Sequence, residues 1–406
     1  MAWRGWLRDD GAKGIRNVVA VAYLVECARH VSEAIAAPWN DPLAPEGGPD
    51  VQAIGFPGCY PNAYGHQMLE RLLTHANVGA AIIVSLGCEG FDRRRLASAV
   101  KASGRPVEVI VIQETGGTRA AIQKGRVAAE RIAAEIAEGS TVEMGPSDLI
   151  VGTICGGSDG TSGVTGNPAA GRAFDRLIAE GGAGIFEETG ELIGCEGHMA
   201  ARAVTPELAV EVKNAVEKAG RYYAELGHAS FAAGNADGGL TTIEEKSMGA
   251  YAKSGAAPIV GLLKPGDRPP HGGLYLLDVV PDGPVRFGFP NINDNAEIAE
   301  LIACGAHMVL FVTGRGSVVG SAVSPVVKIC ANPETYARMA DDMDVNAGRI
   351  LEGAADLDAV GDEIYRTILD VAAGARTRSE ALGHQEFILT YKSFEPAGPG
   401  CLPARH

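Results

Sequence analysis

The alternation of apolar runs with helical stretches in the first part of the chain limits the fold more than any other feature. Four apolar runs have the character of strands: Asn17 to Val25, Val51 to Phe56, Ala80 to Leu86 and Val107 to Ile112. Each is followed by a helix-like stretch: Cys27 to Ala36, Gly65 to Thr74, Arg94 to Ala102 and Gly117 to Ala137. Because parallel neighbours need crossover connections, four such units predict a parallel sheet with helices on its faces. The fold class is therefore α/β, beginning with a Rossmann-like domain.

The rest of the chain repeats the pattern with longer, glycine-rich crossings. Strand-like runs cover 148–154, 183–186, 258–263, 273–280 and 308–313, and helix-like stretches cover 170–180, 205–226, 296–304 and 362–373. The polar segment 235–255 has no clear period and is predicted to be a loop. We predict a Rossmann-like domain over 1–146, a larger α/β catalytic domain over 147–392 and a poorly ordered tail over 393–406.

Composition narrows the class of partner. A net charge of −15 makes the chain a poor general binder of nucleic acid or anionic membrane. No run of eighteen apolar residues is present, so no membrane span is expected. The eight cysteines lack disulfide-framework spacing and no signal segment precedes them. These features predict a cytoplasmic protein with reduced thiols that binds a small molecule.

Polar, glycine-rich loops follow six predicted strands, and ligands of open parallel sheets bind beyond the carboxyl ends of strands. The loops are 56–66, 87–90, 114–119, 155–159, 187–191 and 313–316. Neither a Gly-x-Gly-x-x-Gly after the first strand nor a Walker-type loop occurs, which disfavours nicotinamide and ATP binding by the usual loops. Six loops at strand ends indicate a site better than any single motif.

The tetrapeptide Gly-Cys-Glu-Gly occurs twice, at 87–90 and 194–197, and a further cysteine ends the strand-like run at 155. A thiol beside a carboxylate on glycine-rich backbone suits a borderline metal such as Fe(II), Mn(II) or Zn(II). The alternative is that these are tightly packed turns of small residues. The predicted metal ligands, with the true subset left open, are Cys88, Glu89, Cys155, Cys195 and Glu196.

Three residues are predicted to perform acid–base chemistry. His66 lies near a strand-end loop and His198 follows the second Cys-Glu pair by two residues, and imidazole titrates near neutrality. Lys246 belongs to a dense charged patch, and a lysine base acting beside a metal is a known way to remove a proton next to a carboxylate. The alternatives are hydrogen-bonded histidines and a solvated charged face.

Four further residues are predicted to bind substrate. Arg315 lies between two glycines at a strand end, where its planar fork matches the two oxygens of a carboxylate. Lys328 interrupts an apolar run, which is uncommon unless the amine faces a site or is paired. Ser158 and Asp159, in a strand-end loop, complete the set.

Taken together, these segments resemble the altronate and galactarate dehydratase family over nearly the whole chain. The matching motifs are 8–17, 56–58, 61–62, 72–78, 84–89, 155–160, 166–168, 187–191, 194–196, 238–247, 313–316 and 342–344. The resemblance implies a hydro-lyase that converts a sugar acid, an altronate-like aldonate or an aldarate, into a 2-keto-3-deoxy acid. It also implies a divalent metal, with Fe(II) expected and Mn(II) or another divalent ion as alternatives.

The resemblance leaves two alternative functions open. The family includes the large subunit of sulfolactate sulfo-lyase, which expels sulfite instead of water. Its full-length dehydratases also carry a small N-terminal domain, whereas here the second family segment begins almost at Met1. We therefore expect either a separate small subunit or a chain that works without one. We also expect the chain to form a homo-oligomer. The second alternative is a non-catalytic subunit that only binds acid sugars.

Overall fold

The computed structural model describes residues 2–40, 49–227, 230–283, 293–389 and 391–392. The strands are β1 Trp3–Leu7, β2 Lys13–Gly14, β3 Val18–Tyr23, β4 Val51–Gly55, β5 Val78–Ser85, β6 Val107–Val111, β7 Thr141–Met144, β8 Ile150–Cys155, β9 Ala183–Phe186, β10 Ile259–Leu263, β11 Gly273–Leu277, β12 Met308–Thr313, β13 Val326–Cys330 and β14 Val345–Asn346. The helices are α1 Glu26–Ala36, α2 Ala63–Leu73, α3 Arg93–Ala102, α4 Ile112–Thr115, α5 Thr118–Ala137, α6 Gly166–Ala179, α7 Glu196–Ala200, α8 Pro206–Leu226, α9 Ala233–Asp237, α10 Ile243–Ala252, α11 Asp294–Ala303, α12 Pro333–Arg338, α13 Leu357–Ala372 and α14 Arg378–Ala381.

The first sheet is parallel, with strand order β4-β3-β5-β6. Alternate residues of β3 point to opposite faces, so Val19 and Val21 pack with α1 and α5. Ala20 and Ala22 pack with α2 and α3. Helices therefore cover both faces, as a buried parallel sheet requires. The predicted Rossmann-like α/β arrangement is confirmed.

A small antiparallel sheet, of order β2-β1-β7, differs from the prediction. No strand is predicted from the sequence between residues 138 and 147, but β7 in this segment pairs with β1 and places Trp3 opposite Met144. Two of the four residues of β7 are exposed, and its partner lies about 137 positions away. Local periodicity carries no signal for such a short strand, because its pairing is entirely long-range.

The second sheet is parallel and contains the site. Its order is β10-β11-β9-β8-β12-β13-β14. Strands added after β8 first extend the sheet on the β9 side, and β12 then pairs with β8 on the other side. The strand order therefore reverses between β8 and β12, and this is the position where open α/β sheets form a crevice. The carboxyl ends of β8, β9 and β12 border that crevice.

The segment 235–255, predicted to be a loop, contains the end of α9 and the whole of α10. Thr242 caps α10 by accepting a hydrogen bond from the Glu245 backbone N–H. The buried residues of α10 are Lys246, Ser247 and Ala250, so the helix buries polar and small groups. A helix without an apolar stripe has no periodic signature in the sequence.

Polar contacts join the two sheets. The side-chain amide of Asn77, which follows α2, donates to the His307 carbonyl and to the Ser324 hydroxyl, both at 3.0 Å. The Tyr64 hydroxyl of α2 donates to Glu300 of α11 at 2.6 Å. The boundary at 146 stays a prediction, and the predicted tail 393–406 lies outside the described residues. No helix in the described part of the chain combines the length and apolarity needed to cross a membrane.

Candidate functional site

A cleft of about 660 Å³ opens at the carboxyl edge of the second sheet. Cys155 enters it from the end of β8, Arg315 from the turn after β12 and Lys246 from α10. Glu191, after β9, and Asp294, the first residue of α11, complete its charged lining. The volume falls within the range of about 300–1,000 Å³ typical of small-molecule sites. The cleft thus gathers a thiol, carboxylates and cationic side chains at the point where the strand order reverses.

Cys155, Glu188 and Glu191 form the cluster best suited to a metal among the described residues, with ligand atoms all within 4.8 Å of one another. The Cys155 Sγ lies 3.2 Å from Glu188 Oε2 and 3.5 Å from Glu191 Oε2. The Cys155 backbone N–H also donates to Glu188 Oε2 at 3.1 Å. Burial raises the pKa of the Cys155 thiol, so a cation is needed to favour the thiolate.

Glu188 has an unusual backbone. Among the described residues it is the non-glycine residue with a positive φ, at 81° with ψ at 50°. This left-handed conformation costs a residue with a side chain about 1–3 kcal/mol. The conformation directs a carboxylate at Cys155, which a glycine at this position cannot do. Strain retained next to a titratable cluster points to a functional site.

Two lysines of the α10 region pair with the carboxylates of Glu188 and Glu191. Lys253 is fully buried, its Nζ forms an ion pair with Glu188 and it lies 3.5 Å from the Cys155 Sγ. The Lys246 Nζ donates to Glu191 Oε1 at 2.5 Å and to the Ser230 carbonyl at 2.8 Å. Burial is the largest single influence on the pKa of Lys246 and lowers it, but Glu191, Cys155 and Asp294 together raise this pKa overall, so the ammonium form is favoured.

Asp294 faces the cleft above Gly156. A Cβ on Gly156 would lie 2.1 Å from Asp294 Oδ2 and 2.5 Å from the Phe311 ring, so only glycine fits beneath this carboxylate. Burial is the largest influence on Asp294 and, together with the Glu191 carboxylate, raises its pKa to about 6. A carboxyl group that titrates close to neutrality inside a cleft is a candidate for acid–base chemistry.

Of the twelve predicted site residues, four line this cleft: Cys155, Ser158, Lys246 and Arg315. The Ser158 carbonyl accepts from the Asn235 amide at 3.0 Å, which ties the loop after β8 to α9. Arg315 donates to the Gly234 carbonyl, lies 3.8 Å from the Asp237 carboxylate and keeps 42% of its side chain exposed. Its guanidinium is therefore partly accessible at the cleft.

Asp159 lies next to the cleft but holds loops together. Its Oδ1 accepts from the backbone N–H groups of Thr161 and Ser162, and its Oδ2 accepts from the Asn332 amide at 3.0 Å. The carboxylate is buried, and a Cβ on Gly314 would collide with it. Its contacts in the structure are those of a loop anchor.

The two Gly-Cys-Glu-Gly copies form the same local turn. In each, the glutamate Oε2 accepts from the N–H of the glycine two residues earlier, at 2.8 Å for Glu89 and 2.7 Å for Glu196. Both first glycines have a positive φ. Cys88 is exposed beside the first sheet, and Cys195 is buried with its Sγ 3.6 Å from the Met248 sulfur. Neither pair joins the metal-type cluster found among the described residues.

The other three predicted residues lie outside the cleft lining. His66 is on α2 and stacks on Phe91, with ring centroids 4.1 Å apart. His198 is exposed on α7. Lys328 is buried on β13, where its Nζ lies 3.0 Å from His384 Nδ1. The roles of these three residues stay predictions. For binding and acid–base chemistry, the geometry favours the residues that line the cleft.

The structure adds four charged residues to the predicted set: Glu188, Glu191, Lys253 and Asp294. The first two lie in loop 187–191, which the sequence marks as a strand-end loop without singling out a ligand. Lys253 follows a helix predicted as a loop, and Asp294 begins a helix that periodicity predicts only from Ala296. An asparagine often caps the N-terminus of a helix, and Asn293 caps α11 in this way. This cap is the signal in the sequence that could have indicated Asp294 as the first residue of the helix.

The sequence profile of the D-galactarate/altronate dehydratase C-terminal domain matches residues 146–394. The profile of the D-galactarate dehydratase/altronate hydrolase second domain matches residues 5–137. The chain belongs to this family. The site cleft and all its lining residues fall within the part matched by the first profile.

Curated members of the D-galactarate/altronate dehydratase family resemble this chain over most of its length. The (2R)-sulfolactate sulfo-lyase subunit beta of Chromohalobacter salexigens is 31% identical over 95% of this chain and 96% of its own length. The altronate dehydratase of Bacillus subtilis is 29% identical over 95% of this chain and 77% of its own length. The galactarate dehydratase (L-threo-forming) of Escherichia coli is 30% identical over 92% of this chain and 73% of its own length. These names agree with the predicted lyase class.

Proposed function

We propose that this chain is the catalytic chain of a hydro-lyase that removes water from a sugar acid and yields a 2-keto-3-deoxy acid. The observation that carries the proposal is one cleft that combines a thiol–carboxylate cluster, a charged lysine and a partly exposed arginine. Family membership supports the reaction class. The substrate is an altronate-like aldonate or an aldarate.

The charge around the cleft supports a cation. Six carboxyl groups and three lysines of the described residues interact around the cleft. The carboxyl groups belong to Glu187, Glu188, Glu191, Asp294, Glu297 and Glu300, and the lysines are Lys246, Lys253 and Lys392. Glu187 is fully buried, and neither of its carboxylate oxygens has a hydrogen-bond partner among the described residues. Buried negative charge in such excess needs protons or a cation to be tolerated.

The donor set fits a divalent metal of borderline character. Cys155, Glu188 and Glu191 would hold it, with Fe(II) in the first place and Mn(II) or another divalent ion as alternatives. When bound, the ion would supply Lewis acidity to an α-hydroxy carboxylate and so make the C2 proton easier to remove.

The remaining cleft residues have roles that follow from their donors. Arg315 offers a planar pair of N–H groups to a substrate carboxylate. Lys246 carries an ammonium group into the cleft and is suited to protonate the departing C3 hydroxyl as general acid. Ser158 and the glycines beside it present small, polar contacts that leave room for a polyhydroxylated chain.

The alternative reaction is sulfite release. It is favoured by one observation, the match of this chain to 96% of a sulfo-lyase subunit. That relative is named as a subunit beta, so a separate small subunit is proposed as a partner under either reaction. The third reading, a subunit that only binds acid sugars, predicts no turnover and no requirement for metal.

A substrate screen separates these functions. Protein reconstituted with Fe(II) under reducing conditions is assayed on aldonates, aldarates and sulfolactate, with and without a candidate small subunit, for keto-acid and sulfite release. Keto-acid formation that stops on chelation and returns with Fe(II) is expected. Sulfite release alone moves the function to the alternative, and full activity after chelation refutes the metal. Tight binding without turnover favours the non-catalytic reading.

A further inference from the structure

Asp294 occupies a wall between two openings. It lines the main cleft, as Lys246 does, and it also lines a second cleft of about 350 Å³ together with Ser317, Val318 and Glu386. Among the described residues, Asp294 alone lines both clefts. Asp294 therefore lies between the cleft proposed to bind substrate and a second opening.

The backbone keeps this carboxylate in place. Asn293 caps α11 by accepting from the Ala296 N–H at 3.0 Å, and Asp294 follows as the first helical residue. Gly156 lies directly beneath it and leaves no space for a side chain. Four charged groups face Asp294: Glu191 from the loop after β9, Lys246 and Lys253 from the α10 region, and Glu297 from its own helix.

We propose that Asp294 is the catalytic base, taking the C2 proton of the substrate in the main cleft and releasing it to water through the second cleft. This inference rests on the proposed hydro-lyase function and names a residue for its proton-abstraction step. Asp294 and Lys246 both line this cleft, so the proposed base and the proposed acid are two different residues.

The step balances as follows. The C2–H bond breaks, its proton goes to the Asp294 carboxylate, and its electron pair forms the C2–C3 double bond. The C3–O bond breaks, and the hydroxyl leaves as water with a proton from Lys246. The enol then gains a proton at C3 and loses its hydroxyl proton to give the keto acid. Asp294 returns its proton to solvent, and Lys246 regains one.

The pH dependence follows from burial and the Glu191 carboxylate, which raise the pKa of Asp294 to about 6. A base acts in its ionised form, so kcat/KM is expected to rise as the pH increases through the pKa of Asp294, which burial keeps above the usual value of an aspartate. At neutral pH most Asp294 is ionised while Lys246 remains charged, which is the pair of states that the reaction needs.

The test compares Asp294→Asn, Asp294→Ala and the control Asp358→Asn in the full-length, metal-loaded protein. Asp358 is an exposed acid in the first turn of α13. Asp294→Asn should lower kcat by about 10²–10⁴-fold with KM within about threefold, and its rate should lose the acidic limb of the wild-type pH profile. Formate should partly restore Asp294→Ala, and Asp358→Asn should behave as wild type.

Two results would overturn this assignment while leaving the proposed function intact. One is an Asp294→Asn protein whose kcat stays within about tenfold of wild type. The other is a variant whose pH profile keeps the same acidic limb. A wild-type protein that is inactive on every sugar acid tested, with metal and small subunit present, would overturn both the function and the base.

Discussion

The ion pair between Lys253 and Glu188 offers the sharpest test of the site. The Lys253 side chain is 0% exposed and that of Glu188 is 3% exposed. Replacing Lys253 by Met keeps most of the volume but leaves the Glu188 carboxylate buried without its cation. Removing one partner of a buried ion pair costs about 3–5 kcal/mol, because the remaining charge stays desolvated.

A double-mutant cycle isolates this cost. We expect Lys253→Met to destabilise the chelated protein by about 3–5 kcal/mol, which for a domain of this size lowers Tm by roughly 6–20 °C. Adding Glu188→Gln removes the stranded charge, and neutral replacement of both partners is often close to isoenergetic. The double variant should therefore be more stable than Lys253→Met alone, with a coupling energy of at least about 2 kcal/mol.

The measurement is urea unfolding of the four proteins after chelation, repeated with Mn(II). Because a divalent cation next to Glu188 replaces the missing ammonium, Mn(II) should stabilise Lys253→Met more than wild type. The reasoning is refuted if the single variants each cost less than about 1 kcal/mol and add without coupling. Equal stabilisation of all four proteins by Mn(II) would place the ion elsewhere.

Three further outcomes check the surrounding geometry. Cys155→Ser should abolish the near-ultraviolet thiolate charge-transfer band of the Co(II) protein, whereas Cys88→Ser should retain it; a band lost in both would contradict the single-cluster assignment. Gly156→Ala should displace the Asp294 carboxylate and lower kcat by about a hundredfold, measured with Fe(II) present; wild-type rates would show that the contact yields freely. Glu89→Ala should cost about 1 kcal/mol of unfolding free energy without changing metal stoichiometry, because its carboxylate only closes a turn.

Part of the site could be predicted because strand ends leave a mark in the sequence. β8 and β12 are apolar runs that stop abruptly at glycine-rich polar turns, and this pattern indicated Cys155, Ser158 and Arg315. Lys246 was identified from its charged patch, although its segment was predicted to be a loop. The helix α10 escaped prediction because it buries lysine and serine in place of an apolar stripe.

The repeated tetrapeptide fits two interpretations of one local pattern. Both copies share one turn geometry, with the glutamate carboxylate accepting from its own backbone. The repetition corresponds to a shared turn, and nothing in the sequence distinguishes such a turn from a pair of metal ligands, so the ligand role of these residues stays a prediction. Glu188 and Glu191 lacked any repeat, yet they are the carboxylates that approach Cys155.

By itself, the sequence determined the α/β class, the parallel character of both large sheets and the family, because these depend on apolar periodicity and on contiguous motifs. Only the tertiary structure decided which charged groups meet. Cys155 and Lys253 are 98 positions apart, and Asp294 and Gly156 are brought together by the order of strands in the second sheet. Contacts of that range depend on how crossovers place neighbouring strand ends, and no local pattern records that placement.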